Sequence, residues 1–193
     1  MARRCFGDGD PVYEEYHDNE WGFPVLDERG LFERMTLEAF QSGLSWRTVL
    51  LKRPAFRDAF ADFDPDAVAA FGDSDVERLL GDAGIIRNRA KIESTLANAR
   101  ATVAIRDAGE PLETVIRAHA PIRTDAPSDW TNIPSKTPET IALARELKRR
   151  GFRFVGPTTL YALMQACGLV DDHLAGCPWR PAVERARKAA GLT

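Results

Sequence analysis

The chain has 193 residues, 44% of them hydrophobic and 28% charged, which suffices for one substantial core or two small lobes sharing one. No stretch approaches the roughly 18 to 20 apolar residues that span a bilayer, and MARRCFGDGD lacks the apolar run of a signal peptide. Three scattered cysteines exclude a disulfide framework, a cytoplasmic location is expected, and a net charge of −3 confines any contact with nucleic acid to a local patch.

In chain order the periodicity is helical. Asp27 is an N-cap for a helix through Phe40, and Asp64-Pro65 sets a capping acid before a proline at the first helical position. Ser74-x-x-Glu77 reads as a capping box for a short helix that stops at Gly84. A longer helix is expected from Asn88 to Ala108, closed by Gly109 and Pro111. Residues 120–136, rich in proline and turn formers, form an ordered loop between two halves. Thr137-Pro138 opens a helix to Arg150 that stops at Gly151, and another runs from Pro157 to about Cys167. No segment alternates as a strand does, so the expected fold is all-α, with seven to nine mostly short helices. The tail after Cys177 reads as a short terminal helix to which no function attaches.

Several groups of residues carry chemistry. Cys5 and His17 near one end and His173 and Cys177 near the other are four donors of the kind a tetrahedral zinc site uses. The alternative is two hydrogen-bonded histidines and two small buried thiols. In RRGFRFVGPTTLYALMQACG a helix ends at Gly151 and another begins at Gly156-Pro157, a helix-hairpin-helix pattern whose first-turn N–H groups suit a phosphate, with Arg149, Arg150 and Arg153 nearby. The same pattern also fits an ordinary α-α corner with Phe152, Phe154 and Val155 in the core. The basic run Arg87-Asn88-Arg89-Ala90-Lys91 is either a second phosphate contact or a solvated helix end.

Leu31, Met35 and Glu38 share one helical face, which puts a carboxyl on an apolar stripe. Either it faces a polar site, or it bonds to backbone at the helix end. Phe6, Tyr13, Tyr16, Trp21 and Trp46 concentrate in the same region, and aromatic faces around a buried carboxylate suit a flat cation.

Four segments, YHDNEWG at 16–22, LEAFQSGLSW at 37–46, DAGIIRNRAKI at 82–92 and RGFRFVGPTTLYALMQACGLVDDH at 150–173, resemble the motifs of the 3-methyladenine DNA glycosylase I family, in its order and spacing. The resemblance implies a bilobed helix-hairpin-helix glycosylase fold over a single domain, 1–193, with lobes meeting near 110–136. It implies a structural Zn²⁺ held by Cys5, His17, His173 and Cys177, joining segments 5–17 and 173–177. It further implies a pocket in which Glu38 and Tyr16 read the base, Trp46 stacks on it, and Trp21, Tyr13 and Phe6 line the walls. Phe6 departs from the family, which commonly has tryptophan there. Leu44 matches the wedge that fills the duplex when a nucleotide is extruded, and Gly156, Thr158 and Arg153 match DNA contacts.

The implied activity is monofunctional excision of 3-methyladenine from alkylated double-stranded DNA, by a monomer that needs no membrane and no obligate protein partner. Asp171 and Asp172 are expected to cap or orient His173 rather than activate water. Two other classes remain open on the residues themselves. One is a zinc-stabilised module that binds damaged DNA without cleaving it; the other is a zinc hydrolase unrelated to DNA.

Overall fold

The computed structural model describes residues 4–122 and 125–192. Among them are ten α-helices and no strand: α1 Pro11–Asn19, α2 Glu28–Gln41, α3 Trp46–Ala59, α4 Pro65–Ala69, α5 Asp73–Gly81, α6 Arg89–Asp107, α7 Leu112–Arg117, α8 Pro138–Arg149, α9 Pro157–Ala166 and α10 Arg180–Ala189. Short 3-10 turns lie at Ala61–Phe63 and Trp130–Asn132. The expected caps are present: the side chains of Asp27, Asp64, Asn88 and Thr137 each accept a backbone N–H of the first turn they precede. The box before α5 is a correction. Asp75, not Glu77, reaches back to the N–H of Gly72, so the helix opens one residue before Ser74 and ends at Gly81 rather than Gly84.

Helix α2 is the centre of the molecule, packing against α3, α6, α7 and α9. Leu31, Phe32, Met35, Leu37 and Phe40 are all buried, so it is covered on several sides, as a helix with apolar residues around its circumference must be. Phe40, Phe56, Phe60 and Phe63 form a continuous ring stack below it, with successive centroids 4.7, 6.1 and 5.8 Å apart. To bring Phe63 into that stack, Ala61, Asp62 and Phe63 adopt left-handed backbone angles, at a cost of roughly 1 kcal/mol each that burial of a phenyl ring offsets.

Two features join the N-terminal segment to α9. The Gly22 N–H donates to the Gln165 carbonyl at 3.1 Å and the Val25 N–H to the Cys167 carbonyl at 3.1 Å. Gly168, with φ +68°, lets the chain cross at that point, because a Cβ there would lie 2.5 Å from the Gly22 oxygen. The turn between α8 and α9 is held from below by Asn98 of α6, whose side chain accepts the Arg153 N–H at 2.7 Å and donates to the Arg153 carbonyl at 3.0 Å. Asn98 is buried, so this double bond to the backbone fixes the turn on the core. No helix among the described residues is long and apolar enough to cross a membrane.

Candidate active site

Helix α2 carries the carboxyl that the sequence singles out. Glu38 follows Leu31 and Met35 on the buried face and is 6% exposed, yet no hydrogen bond or ion pair to it exists among the described residues, so the backbone-bonded alternative fails. Burial alone pushes its pKa up to about 8. What exposure remains is to a cavity of about 160 Å³ lined by Phe6, Tyr16, Trp21, Glu38, Gln41, Trp46, Trp130, Ala162 and Gln165. A larger hollow of about 570 Å³ lies between α5 and α6; its Arg89 and Arg100 are already bonded, to Glu77 and to the Ala69 and Phe71 carbonyls, and its third cation, Arg153, belongs to the turn before α9. Size therefore does not locate the site; the unpaired carboxyl does.

The cavity walls come from four helices, α1, α2, α3 and α9, and from the segments that carry Phe6, Trp21 and Trp130. Tyr16 of α1 is buried, with its ring 5.6 Å from that of Trp46 at the start of α3; burial and then the charge of Glu38 hold its phenol well above the usual range. Trp21 packs edge-on to Phe6 at 5.1 Å and lies 4.5 Å from the His173 ring. Tyr13 stands behind Phe6, off the cavity, and its hydroxyl accepts the Arg47 N–H at 3.1 Å, tying α1 to α3. Trp130, in the loop 120–136, faces Phe6 and Trp21 at 5.9 and 6.1 Å while its indole N–H donates to the Cys5 carbonyl at 2.7 Å. Trp130, Gln41, Ala162 and Gln165 are the cavity residues that sequence reasoning missed. Gln165 alone carried a signal, as the one amide in the apolar run of α9.

Behind this aromatic wall the two chain ends meet. The donor atoms of Cys5, His17 and Cys177 lie within 4.8 Å of one another, all buried. His173 stands just outside that group with its ring 5.1 Å from that of His17; its Nδ1 lies 3.0 Å from Asp171, and its buried Nε2 has no partner among the described residues. Burial lowers the pKa of His17 and raises that of Cys5 to about 12. Asp171 does orient His173, as expected, accepting both its backbone N–H and its ring. Asp172 Oδ2 accepts the Tyr161 hydroxyl at 2.7 Å and the Gln165 amide at 2.8 Å.

The residues expected at a DNA surface divide. Leu44, 42% exposed, projects from the turn between α2 and α3, and Arg153 and Thr158 are exposed beside Gly156 at the start of α9. Arg149 and Arg153 form no ion pair among the described residues, but Arg150 is bound to Glu146 at 2.7 Å and to Glu110, which removes it from the free cations. The other basic run is also largely committed. Arg89 pairs with Glu77 and Glu93, and Lys91 is buried, donating to the Phe40 and Ser42 carbonyls at 2.9 and 2.7 Å. Lys91 therefore braces the end of α2 that leads into the Leu44 turn. In the α8–α9 turn Phe152 and Val155 are core, but Phe154 is exposed.

Comparison with known proteins gives one consistent result. Residues 6–181 match the model of the family described as methyladenine glycosylase. The chain is 50% identical over 180 residues to DNA-3-methyladenine glycosylase 1 of Escherichia coli strain K12, covering 92% of this chain and 96% of that protein. A crystal structure of 3-methyladenine DNA glycosylase I superposes with a TM-score of 0.88 at 47% identity, over 91% of this chain and 98% of the other. A variant of 3-methyladenine DNA glycosylase I in complex with 3-methyladenine gives 0.87 at 33% identity, over 94% and 98%.

The raised Glu38 pKa sets a sign for stability. The folded state retains a proton that the unfolded chain loses from pH 4.5 upward, so this group's contribution is fully present below pH 4.5 and is lost as pH rises through about 8. Glu38→Gln is expected to be more stable than the parent at pH 8 to 9, by on the order of several kcal/mol, with the gap closing toward pH 4.5. Denaturant unfolding of both proteins across that range checks it; parallel curves would mean that Glu38 is not desolvated.

Proposed function

The chain belongs to the methyladenine glycosylase family, and we propose that its excision of 3-methyladenine from alkylated DNA turns on the buried, unpaired carboxyl of Glu38 in the aromatic cavity. Methylation at N3 leaves adenine cationic in DNA and its glycosidic bond already weak, so the base needs no protonation to leave. The task is selective binding of a flat cation. At a separation of 4 Å and an effective dielectric constant of about 20, a cation and a carboxylate attract by about 4 kcal/mol. That equals about three pKa units, which is close to the shift that burial imposes on Glu38.

It follows that docking of the cation lets Glu38 release its proton to solvent. Neutral adenine offers no such compensation and meets a protonated, desolvated carboxyl instead. Tyr16 and Trp46, with ring centroids 5.6 Å apart, flank the base, and Trp21 and Phe6 complete the wall. As the bond from sugar to base breaks, its electron pair neutralises the base while positive charge develops on the sugar. Water then adds to the sugar carbon and loses a proton. The neutral product no longer holds Glu38 ionised, and recovery of the carboxyl proton favours release.

The DNA contact proposed for this chain is a helix-hairpin-helix at α8 and α9. Supporting it, the first turn of α9 has no side-chain cap, whereas α8 carries a reciprocal Thr137–Thr140 box. At Gly156 an added Cβ would find no atom nearer than 3.8 Å, which leaves room for a phosphate against the backbone. Thr158 and Arg153 flank that position, and Leu44 is the apolar wedge for the gap left by a flipped nucleotide. We propose a single domain acting as a monomer in the cytoplasm.

Cys5, His17, Cys177 and His173 fit a structural zinc ion. Three of these donors already converge, and the fourth has a buried Nε2 with no partner among the described residues, which is costly unless something is bound there. When bound, zinc supplies a clamp between the chain ends rather than chemistry in the cavity. The residues themselves tie that clamp to the base site, through Trp21 against His173 and Trp130 on the Cys5 carbonyl.

Incubating the protein with methylated duplex DNA and separating the liberated bases tests the reading. Wild-type protein is expected to release 3-methyladenine, with kcat/KM rising with pH and levelling above about 8. Glu38→Gln is expected to lose about 100-fold and the pH dependence with it. An equal rate and profile in the variant would sink the role of Glu38. Absence of any base release by folded protein would favour a damage-binding module. For the metal, His173→Ala is expected to lose bound zinc and on the order of 4 kcal/mol of stability. An unchanged melting temperature with metal retained would remove His173 from the clamp.

A further inference from the structure

Most of α9 is buried, including Leu160, Tyr161, Leu163, Met164 and Ala166, and of its residues only Ala162 and Gln165 line the cavity. Gln165 sits there as a half-buried amide, and its orientation is fixed from behind. Its side-chain nitrogen donates to Asp172 Oδ2 at 2.8 Å, and the Tyr161 hydroxyl donates to the same oxygen at 2.7 Å. Asp172 is 1% exposed and Tyr161 2%. Rotating the Gln165 amide by half a turn would press its carbonyl oxygen against a buried carboxylate oxygen, two acceptors with no proton between them. The nitrogen therefore stays on the Asp172 side and the carbonyl oxygen is turned away from it.

We propose that Gln165 is a specificity-determining residue whose carbonyl, aimed into the cavity by Asp172, accepts a hydrogen bond from the exocyclic amino group of an adenine-type base and repels the C6 carbonyl of a guanine-type one. The inference rests on the assignment of this cavity to the methylated base. The charge that Glu38 selects for is carried by both 3-methyladenine and 3-methylguanine, so charge by itself does not separate the two. A fixed neutral acceptor can, because the wrong base leaves a buried oxygen facing an oxygen. It also gives Asp172 a function that neither the metal clamp nor the glycosidic bond requires. The amide of Gln165 would otherwise turn freely and accept either base edge.

The experiment compares wild type and Gln165→Met, a substitution that keeps length and apolar bulk but removes the carbonyl. Both methylated bases are measured from one alkylated duplex. The expected result is that Gln165→Met lowers kcat/KM for 3-methyladenine at least tenfold and reduces the ratio of 3-methyladenine to 3-methylguanine release by a similar factor. Unchanged release of both bases, or an equal fall for both, would overturn the proposal, the latter assigning Gln165 to packing alone. Release of 3-methyladenine by wild type in the same series tests the cavity assignment separately. Should Gln165→Met fail to fold, carbon-13 resonance of the Gln165 side-chain carbonyl in wild type decides the matter. It is expected to move when free 3-methyladenine is added; an unmoved resonance at saturation would overturn the proposal.

Discussion

A carboxyl held out of water with no partner among the described residues is the constraint on which the rest of this molecule depends. Glu38 could be relieved by an arginine of its own helix or of α3, which packs against it, but Arg34, Arg53 and Arg57 are engaged elsewhere. Arg53 makes a two-pronged pair with Glu20 at 2.5 and 2.6 Å, Arg34 lies 3.8 Å from Glu20, and Arg57 bonds to Glu33. These cations are thus each paired with another acid, and Glu38 has no ion-pair partner among the described residues. A helix buried on several sides is needed to keep Glu38 dry, which accounts for the central position of α2 and for the phenylalanine stack beneath it.

The walls of the cavity are supplied by segments far apart in the chain, and a set of polar contacts joins them. Arg4 grips Asp18 with two bonds of 2.9 and 2.8 Å, and Asp18 in turn touches the His17 ring at 2.9 Å. Gly22 and Val25 hang on carbonyls at the end of α9. Tyr13 fixes the start of α3, and Lys91 closes the end of α2. Helix α9 is the element shared by every part, since its first turn faces outward at Gly156, its middle lines the cavity, and its end meets the N-terminal segment. Arg149 and Arg153, which form no ion pair among the described residues, lie at the end of α8 and in the turn before α9, a local basic feature on a chain of net charge −3.

Much of this was legible in the sequence where the cause is local. Asp27, Asn88 and Thr137 cap helices through bonds to residues two or three ahead, so spacing alone identifies them. Glu38 was legible because a carboxyl on an apolar stripe has no local explanation. The box at α5 lies two residues earlier than the Ser74–Glu77 pattern because a nearby competitor, Asp75, reaches the Gly72 N–H. Helix α3 runs through Pro54, where packing of Val49, Leu50, Phe56 and Ala59 overrides the lost backbone bond. Long-range partners were invisible: nothing in the sequence ties Trp130 to Cys5, Arg150 to Glu110, or Lys91 to the end of α2. The same holds for Asp172, whose position beside His173 points toward the metal clamp while its side chain points to Gln165.

Titration of the Glu38 side-chain carboxyl by carbon-13 resonance, in the free protein and with a cationic purine bound, tests the central claim most directly. A midpoint near 8 when free, falling by several pH units on binding, is what a desolvated acid awaiting its counter-charge must give. A midpoint near 4.5 in the free protein would mean that water or an unseen partner already satisfies the carboxyl, and selection for the cation would have to come from the aromatic walls alone.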